Sequence, residues 1–406
     1  MTDWAEAGRK SWETRRKREA MAIMNSKTFL EDLKEVQANR LHKTYVRKLE
    51  RHIGNTESYK EKLYTDIAER ISTIKVINTN LNATETRKYL ESRTGIEQKS
   101  DVRRSVCTIW SDHHLGTNVD YSEMAGSNMY NWEIAARRLG MICEETATYK
   151  QGRRKYHDEL VIFLLGDIIG GIIHNQEGTN YDLMINQIIG ATQYYIQAIS
   201  YLKARGLYPK IRVFCQPGNH GRTQHKQDKG RAFVNKYDSL ENIIYYNLCI
   251  AFKSDPQIDI IIPKAPFCDV DVQGHRIFGT HGDTLFLTGN VGATINNRAI
   301  EQRVATINEV ERLRKKKAYS LFLAAHVHHP AITTTSSGVK IVVNGCLIGN
   351  DTYGQGLGIA ATVPSQHIWE TTPDYVFGDN RFLEVKSADT EKEFEKIIFP
   401  YKGEIE

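Results

Sequence analysis

Asp112, His114, Asp167, Asn219, His220, His281, His326 and His328, all able to hold metal ions or move protons, fall in five short segments. These are Ser111-Asp112-His113-His114, Gly166-Asp167, Gly218-Asn219-His220, Thr280-His281-Gly282-Asp283 and His326-Val327-His328. Each follows an apolar, strand-like run, the place where an α/β sheet presents functional groups to solvent. One histidine after a strand says little; five such segments in one chain point to a site. Aspartate, neutral imidazole and an asparagine carbonyl suit hard-to-borderline divalent cations. Hydrolysis of a phosphate ester needs an activated hydroxide and neutralisation of charge on the phosphoryl oxygens, and two adjacent dications supply both. A carboxylate such as Asp167 suits the bridging position between them. In Asp112-x-His114 and His326-x-His328, an extended backbone is expected to send both members of each pair to one face.

The elements that must position these residues begin after about residue 100. Short β-rich runs (Val106–Trp110, Leu160–Leu165, Ile211–Gln216, Ile258–Ile262, Arg276–Gly279, Tyr319–Ala324 and Lys340–Val343) alternate with amphipathic helical stretches. One helix carries Trp132, Ala135, Leu139 and Ile142, a second runs through Met184, Ile188, Ala191, Tyr195, Ala198 and Leu202, and a third spans about 295–316. Alternating strands and helices predict an α/β layered core over 101–346, with 347–406 as a β-containing extension. Residues 1–100 contain no proline, show helical spacing and form an accessory segment with a break near Gly54-Asn55.

The order D-x-H, G-D, G-N-H, H, H-x-H resembles the calcineurin-like metallophosphoesterase superfamily over roughly residues 105–346. The resemblance implies a four-layer αββα sandwich. It also implies two metal positions, one held by Asp112, His114, Asp167 and His328 and the other by Asp167, Asn219, His281 and His326. His220 would be the catalytic histidine that protonates the leaving oxygen or stabilises the transition state. The chain departs from the pattern in three places. Gly221 stands where an acid usually follows the histidine, with Asp283 or another acid as a candidate substitute. Ala325 replaces a glycine before His326. The segment after Asp167 reads Ile168-Ile169-Gly170-Gly171 without the arginine of the phosphoprotein phosphatases, which disfavours that activity. Within the superfamily the chain is similar to DNA-repair nucleases of the SbcD type and to exonuclease-like phosphoesterases encoded by bacteriophages.

Charge carries the remaining clues. Residues 1–100 hold 21 Lys and Arg against 15 Asp and Glu, whereas the rest hold 33 against 34. The basic run Arg9, Lys10 and Arg15–Arg18, with Trp4 and Trp12 interleaved, fits contact with nucleic-acid phosphates and bases, or equally a solvated helical face. The stretch 312–317 and the loop residues Arg222, Lys226, Lys229 and Arg231 lean the same way. Arg222 either contacts a substrate phosphate through its planar fork or is a solvated loop residue. His113 and His329 are expected behind the ligands or at the surface; His174 and His225 are further histidines near the motifs. The expected activity is phosphodiester hydrolysis of DNA with two divalent transition-metal ions, Mn²⁺ foremost and Fe, Zn or Co as alternatives. The competing expectation is a phosphatase or pyrophosphohydrolase acting on a free nucleotide or nucleotide-sugar; a non-catalytic scaffold would have shed ligands that are all present here. A homo-oligomer and an ATPase partner both stay open. With no long apolar run and no secretory leader pattern, a cytoplasmic location without membrane contact is expected. The six cysteines are widely spaced and read as buried, reduced thiols.

Overall fold

The computed structural model describes residues 103–149, 157–173, 181–223, 236–283, 297–356 and 362–403. The basic segment over 1–100, His174, His225, Lys226, Lys229 and Arg231 lie outside these residues.

Two sheets carry the molecule. The first has the order β11-β10-β1-β2-β3-β4, built from β1 (Ser105–Trp110), β2 (Glu159–Leu164), β3 (Ile211–Cys215), β4 (Ile258–Ile261), β10 (Ser365–Thr371) and β11 (Asn380–Glu384). Strands β1 to β4 are parallel, and β10 joins β1 antiparallel. The second has the order β5-β6-β7-β9-β8, from β5 (Cys268–Val272), β6 (His275–Gly279), β7 (Leu321–Ala324), β8 (Ala331–Thr334) and β9 (Lys340–Val343). Here β6, β7 and β9 are parallel between antiparallel edges. The helices are α1 (Trp132–Thr148), α2 (Met184–Ala204), α3 (Glu241–Phe252), α4 (Asn297–Leu313) and the short α5 (Thr352–Gly356).

The layering follows from the two-residue period of the strands. In β2, Leu160, Ile162 and Leu164 join a core with α1, α2 and α3, while Val161 and Phe163 turn the other way to meet Ile277, Leu321 and Leu323 of the second sheet. In β7, Leu321 and Leu323 face that inter-sheet core, and Phe322 and Ala324 pack with Ile300 and Val304 of α4. Three apolar layers therefore separate four structural ones, helices–sheet–sheet–helix, the αββα arrangement. Because both faces of each sheet are covered, β2 and β7 are almost wholly apolar.

All seven expected strand runs are strands, within a residue or two, and the three expected helices are α1, α2 and α4. Strands β5 and β8 and helix α3 were not anticipated. Helix α1 starts at Asn131, whose Oδ1 accepts the Ile134 N–H at 2.9 Å. On this helix Arg138 is fully buried and donates to both carboxylate oxygens of Asp389 and to the carbonyls of Leu347 and Ile348. Residues after 346 are thus bonded both to β1 and to α1. No helix among the described residues is long and apolar enough to cross a membrane. Five of the cysteines, at 107, 143, 215, 268 and 346, are buried and Cys249 is partly so; all six are free thiols.

Candidate metal centre

The turns after β1, β2, β3, β6 and β7 converge at one end of the two sheets. Asp112 and His114 follow β1, Asp167 follows β2, Asn219 and His220 follow β3, His281 follows β6, and His326 and His328 follow β7. Backbone bonds lock the first two turns together: Asp112 N–H donates to Gly166 O at 3.0 Å and His114 N–H to Asp167 O at 3.0 Å. A Cβ on Gly166 would lie 2.1 Å from Gly218 N, and one on Gly218 would lie 2.0 Å from Asp167 Oδ1. Only glycine at both places lets the Asp167 and Asn219 turns touch backbone to backbone.

The expectation of extended backbone at the ligand pairs is corrected by the geometry. Asp112 (φ 53°), His114 (φ 48°), Asp167 (φ 50°), His326 (φ 78°) and His328 (φ 62°) all adopt positive φ. Left-handed residues reverse the chain within one step, so the ligands turn back over the sheet end instead of continuing its plane. For non-glycine residues this region is sparsely populated, and it recurs where surrounding contacts impose it at functional sites.

Ligand-type atoms then gather into groups within 4.8 Å of one another: Asp112, His114 and His328 in one, and Asp167, His281 and His326 in another. A third, His114, Asp167 and His220, links them. His114 Nε2 and His328 Nε2 lie 3.1 Å apart, His328 Nε2 is 3.5 Å from Asp112 Oδ1, and His281 Nε2 is 3.0 Å from Asp167 Oδ2 and 3.1 Å from Asn219 Oδ1. Asp112 and His281 are fully buried, and Asp167 and His114 nearly so. Four imidazoles and two carboxylates packed this closely leave lone pairs facing one another, which a divalent cation relieves. Asp167 Oδ2 is buried against His281 Nε2, 3.0 Å away. The donor set of imidazole, carboxylate and amide oxygen, without thiolate, fits a divalent transition metal.

The hydrogen bonds behind the ligands set their tautomers. His281 Nδ1–H donates to Leu165 O at 2.8 Å, which turns Nε2 toward Asp167 and Asn219. Asp112 accepts the His326 N–H on both oxygens at 3.2 Å, tying the β1 turn to the β7 turn across the two sheets. Burial, with His220 and His328 adding repulsion, holds His114 well below its ordinary value; burial and His281 hold His326 at about 4. Both rings are therefore neutral near pH 7, the form in which an imidazole can bind a cation. Burial opposes charge on His281, yet Asp167 beside it raises the ring to about 9. Asp167, against the cost of its own burial, is kept ionised by His281 and His220. A cation bound there would displace the His281 proton.

His220 stands beside the group, its ring edge-on to His114 with centroids 4.5 Å apart and its Nε2 4.0 Å from Asp167 Oδ2. Its Nδ1 bonds Gly170 O at 2.7 Å. Asp283 is engaged elsewhere: it accepts from Lys236 Nζ at 2.8 Å, and Lys236 also donates to Pro217 O at 2.7 Å. Arg222 donates from Nε to Asn219 O at 2.9 Å, bracing the Asn219 turn. His113 is buried behind the ligands, its Nδ1 2.7 Å from Tyr195 Oη, and His329 is half-buried. Sequence reasoning missed Lys236 and Glu241. Glu241 is fully buried beneath the site and accepts the N–H groups of Ile168 at 2.8 Å and Gly218 at 2.7 Å. The local signal for Glu241 is an acid at the start of a helix.

No family model matches the chain, and no curated protein matches it in sequence. Among solved structures, it is similar to a novel archaeal phosphodiesterase at 12% identity, covering 68% of this chain and 98% of that one, with a TM-score of 0.31. It is also similar to a hypothetical protein from Pyrococcus horikoshii at 13% identity (73% and 95% covered, TM-score 0.37). A dimetal phosphatase from Danio rerio is similar at 12% identity (69% and 99% covered, TM-score 0.33). These likenesses are remote, and the chemistry of the site stands on its own geometry.

Proposed function

We propose that this chain is a metal-dependent phosphoesterase that hydrolyses phosphodiester bonds, with DNA as its substrate class and Mn²⁺ as its preferred ion. The observation that carries this reading is the meeting of Asp112, His114 and His328 with Asp167, His281 and His326 at one sheet end.

Asp112, His114, Asp167 and His328 would hold one ion and Asp167, Asn219, His281 and His326 a second. Such a pair lowers the pKa of bound water and neutralises charge on a phosphoryl group. The chain's own residues do the rest. Asp167, buried and ionised, is the common anion of the two groups. His220 is steered by Gly170 O, which takes its Nδ1–H and leaves Nε2 as the atom that exchanges a proton with a leaving oxygen. Arg222 anchors its Nε on Asn219 O, which directs the guanidinium fork beside the ligand turn where a phosphate of the substrate would lie. The buried ligand turns, held by backbone bonds, keep these groups in place before substrate arrives.

The test is hydrolysis of end-labelled single- and double-stranded DNA with Mn²⁺, beside bis-p-nitrophenyl phosphate, with Asp167→Ala as the control. Wild-type cleavage of DNA that the variant lacks supports the nuclease reading. Cleavage of the small diester alone keeps the metal centre and rejects the polymer, directing the search to free nucleotides. No cleavage of either with any divalent ion rejects the reading.

A further inference from the structure

The acid missing after His220 has a counterpart in space. A Cβ on Gly221 would lie 2.5 Å from Glu241 Cγ and 2.6 Å from Ser239 Oγ, so the absent side chain leaves the volume that these two occupy. Gly221 O in turn accepts the Leu240 N–H at 2.6 Å, stitching the start of α3 to the His220 turn. Glu241 is fully buried, and its two oxygens serve two different turns. Oε1 accepts from Ile168, the residue after Asp167, at 2.8 Å. Oε2 accepts from Gly218, the residue before Asn219, at 2.7 Å. A buried carboxylate is costly, and two backbone donors are what make it tolerable. Leu165 O, three residues before Ile168, receives His281. The carboxylate therefore spans the backs of the two turns that bring Asp167 and Asn219 to His281, without touching any ligand atom itself.

We propose that Glu241 is a positioning residue whose carboxylate fixes the separation of the Asp167 and Asn219 turns and thereby the affinity of the centre for the ion held by Asp167, Asn219, His281 and His326. This rests on the metal-centre reading above. Glu241 does the spacing from a distant element, and Gly221 is the notch that admits it.

The test is calorimetric titration of the metal-stripped, full-length protein with Mn²⁺, with electron paramagnetic resonance of the loaded protein and thermal unfolding of the metal-free protein. Glu241→Gln keeps the shape but turns an amide N–H toward one of the two backbone donors. Gly221→Ala leaves the carboxylate intact and presses a methyl against it and against Ser239 Oγ; the Gly221 backbone does not have positive φ, so alanine adds these contacts without backbone strain. In both variants one of the two binding steps is expected to weaken by about tenfold to a hundredfold, the usual effect of a residue that orients ligands. The other step stays as in wild type, and the signal of the exchange-coupled pair gives way to that of a single ion. Two unchanged steps overturn the proposal. So does a parallel fall in both steps that merely follows a lower unfolding temperature. Wild-type protein that takes up no Mn²⁺ pair rejects the metal-centre reading as well, which separates the two failures.

Discussion

The imidazole of His220 is held through Nδ1 by the carbonyl oxygen of Gly170, 2.7 Å away. A carbonyl fixes ring orientation but supplies no negative charge to stabilise an imidazolium. Replacing His220 with Gln removes the proton-exchanging atom while leaving the ligand set intact. Turnover of DNA or of an alkyl diester is expected to fall by about 10²–10⁴-fold, the range for one general acid. The nitrophenyl diester, whose leaving group needs little protonation, is expected to lose much less. Rates across a leaving-group series check this, and an equal loss for all substrates would contradict it.

The same turn depends on Gly171. It has φ +74°, and a Cβ there would lie 1.9 Å from His220 O. Gly171→Ala must shift one chain against the other and strain the backbone, at a cost of about 1–3 kcal/mol. Because Gly170 moves with it, activity is expected to fall further than stability. Chemical unfolding of the metal-free variant beside its turnover with Mn²⁺ separates the two effects.

Removing metal should be visible without any substrate. An ion that binds only the folded chain stabilises it by about 2.7 kcal/mol at a hundredfold excess over Kd. Wild-type protein is expected to melt higher with Mn²⁺ and to return to its lower midpoint with chelator. Asp167→Ala, which takes an anion from both groups, is expected to show little of that rise. Equal shifts for both proteins would place the binding elsewhere.

Acid sensitivity has an identifiable source away from the centre. His367 on β10 is fully buried against Phe377 and Phe382, and neither ring nitrogen has a hydrogen-bond partner among the described residues. Burial lowers it from 6.5 to about 3. A depressed histidine binds its proton in the unfolded chain first, so stability is lost as pH falls from 6.5 towards 3. By linkage this one group should cost about 2 kcal/mol at pH 5 relative to pH 8. His367→Phe is expected to flatten that limb of the stability profile, as followed by denaturant midpoints at each pH.

The segments that meet at the sheet end were legible because metal-binding chemistry restricts the residue types and strand ends restrict their places. The strands β1 to β4 were legible because sheets covered on both faces need predominantly apolar runs. Strand β5 alternates Cys268, Val270 and Val272 inward with Asp269 and Asp271 outward, a pattern that could have been read but is short and charged. Helix α3 escaped because its apolar residues surround much of its circumference: Ile244 and Leu248 are buried while Tyr246 and Ile250 are exposed. The left-handed ligands were not legible at all. Positive φ at Asp112 or His326 is imposed by bonds from distant turns, such as the His326 N–H to Asp112, and not by neighbours in sequence. Glu241 was hidden for a related reason. An acid opening a helix is ordinary dipole chemistry until the fold brings it under Ile168 and Gly218.

Strand β10 fills the place beside β1, the strand that carries Asp112 and His114 at its end. The consequence is one of timing. During synthesis β1 is among the first strands of the sheet to be made, yet its second edge stays uncovered until residues 365–371 arrive. Through that interval an apolar strand with unpaired N–H and C=O groups is open to pairing with other chains. Covering of that edge by β10 is what closes this opening.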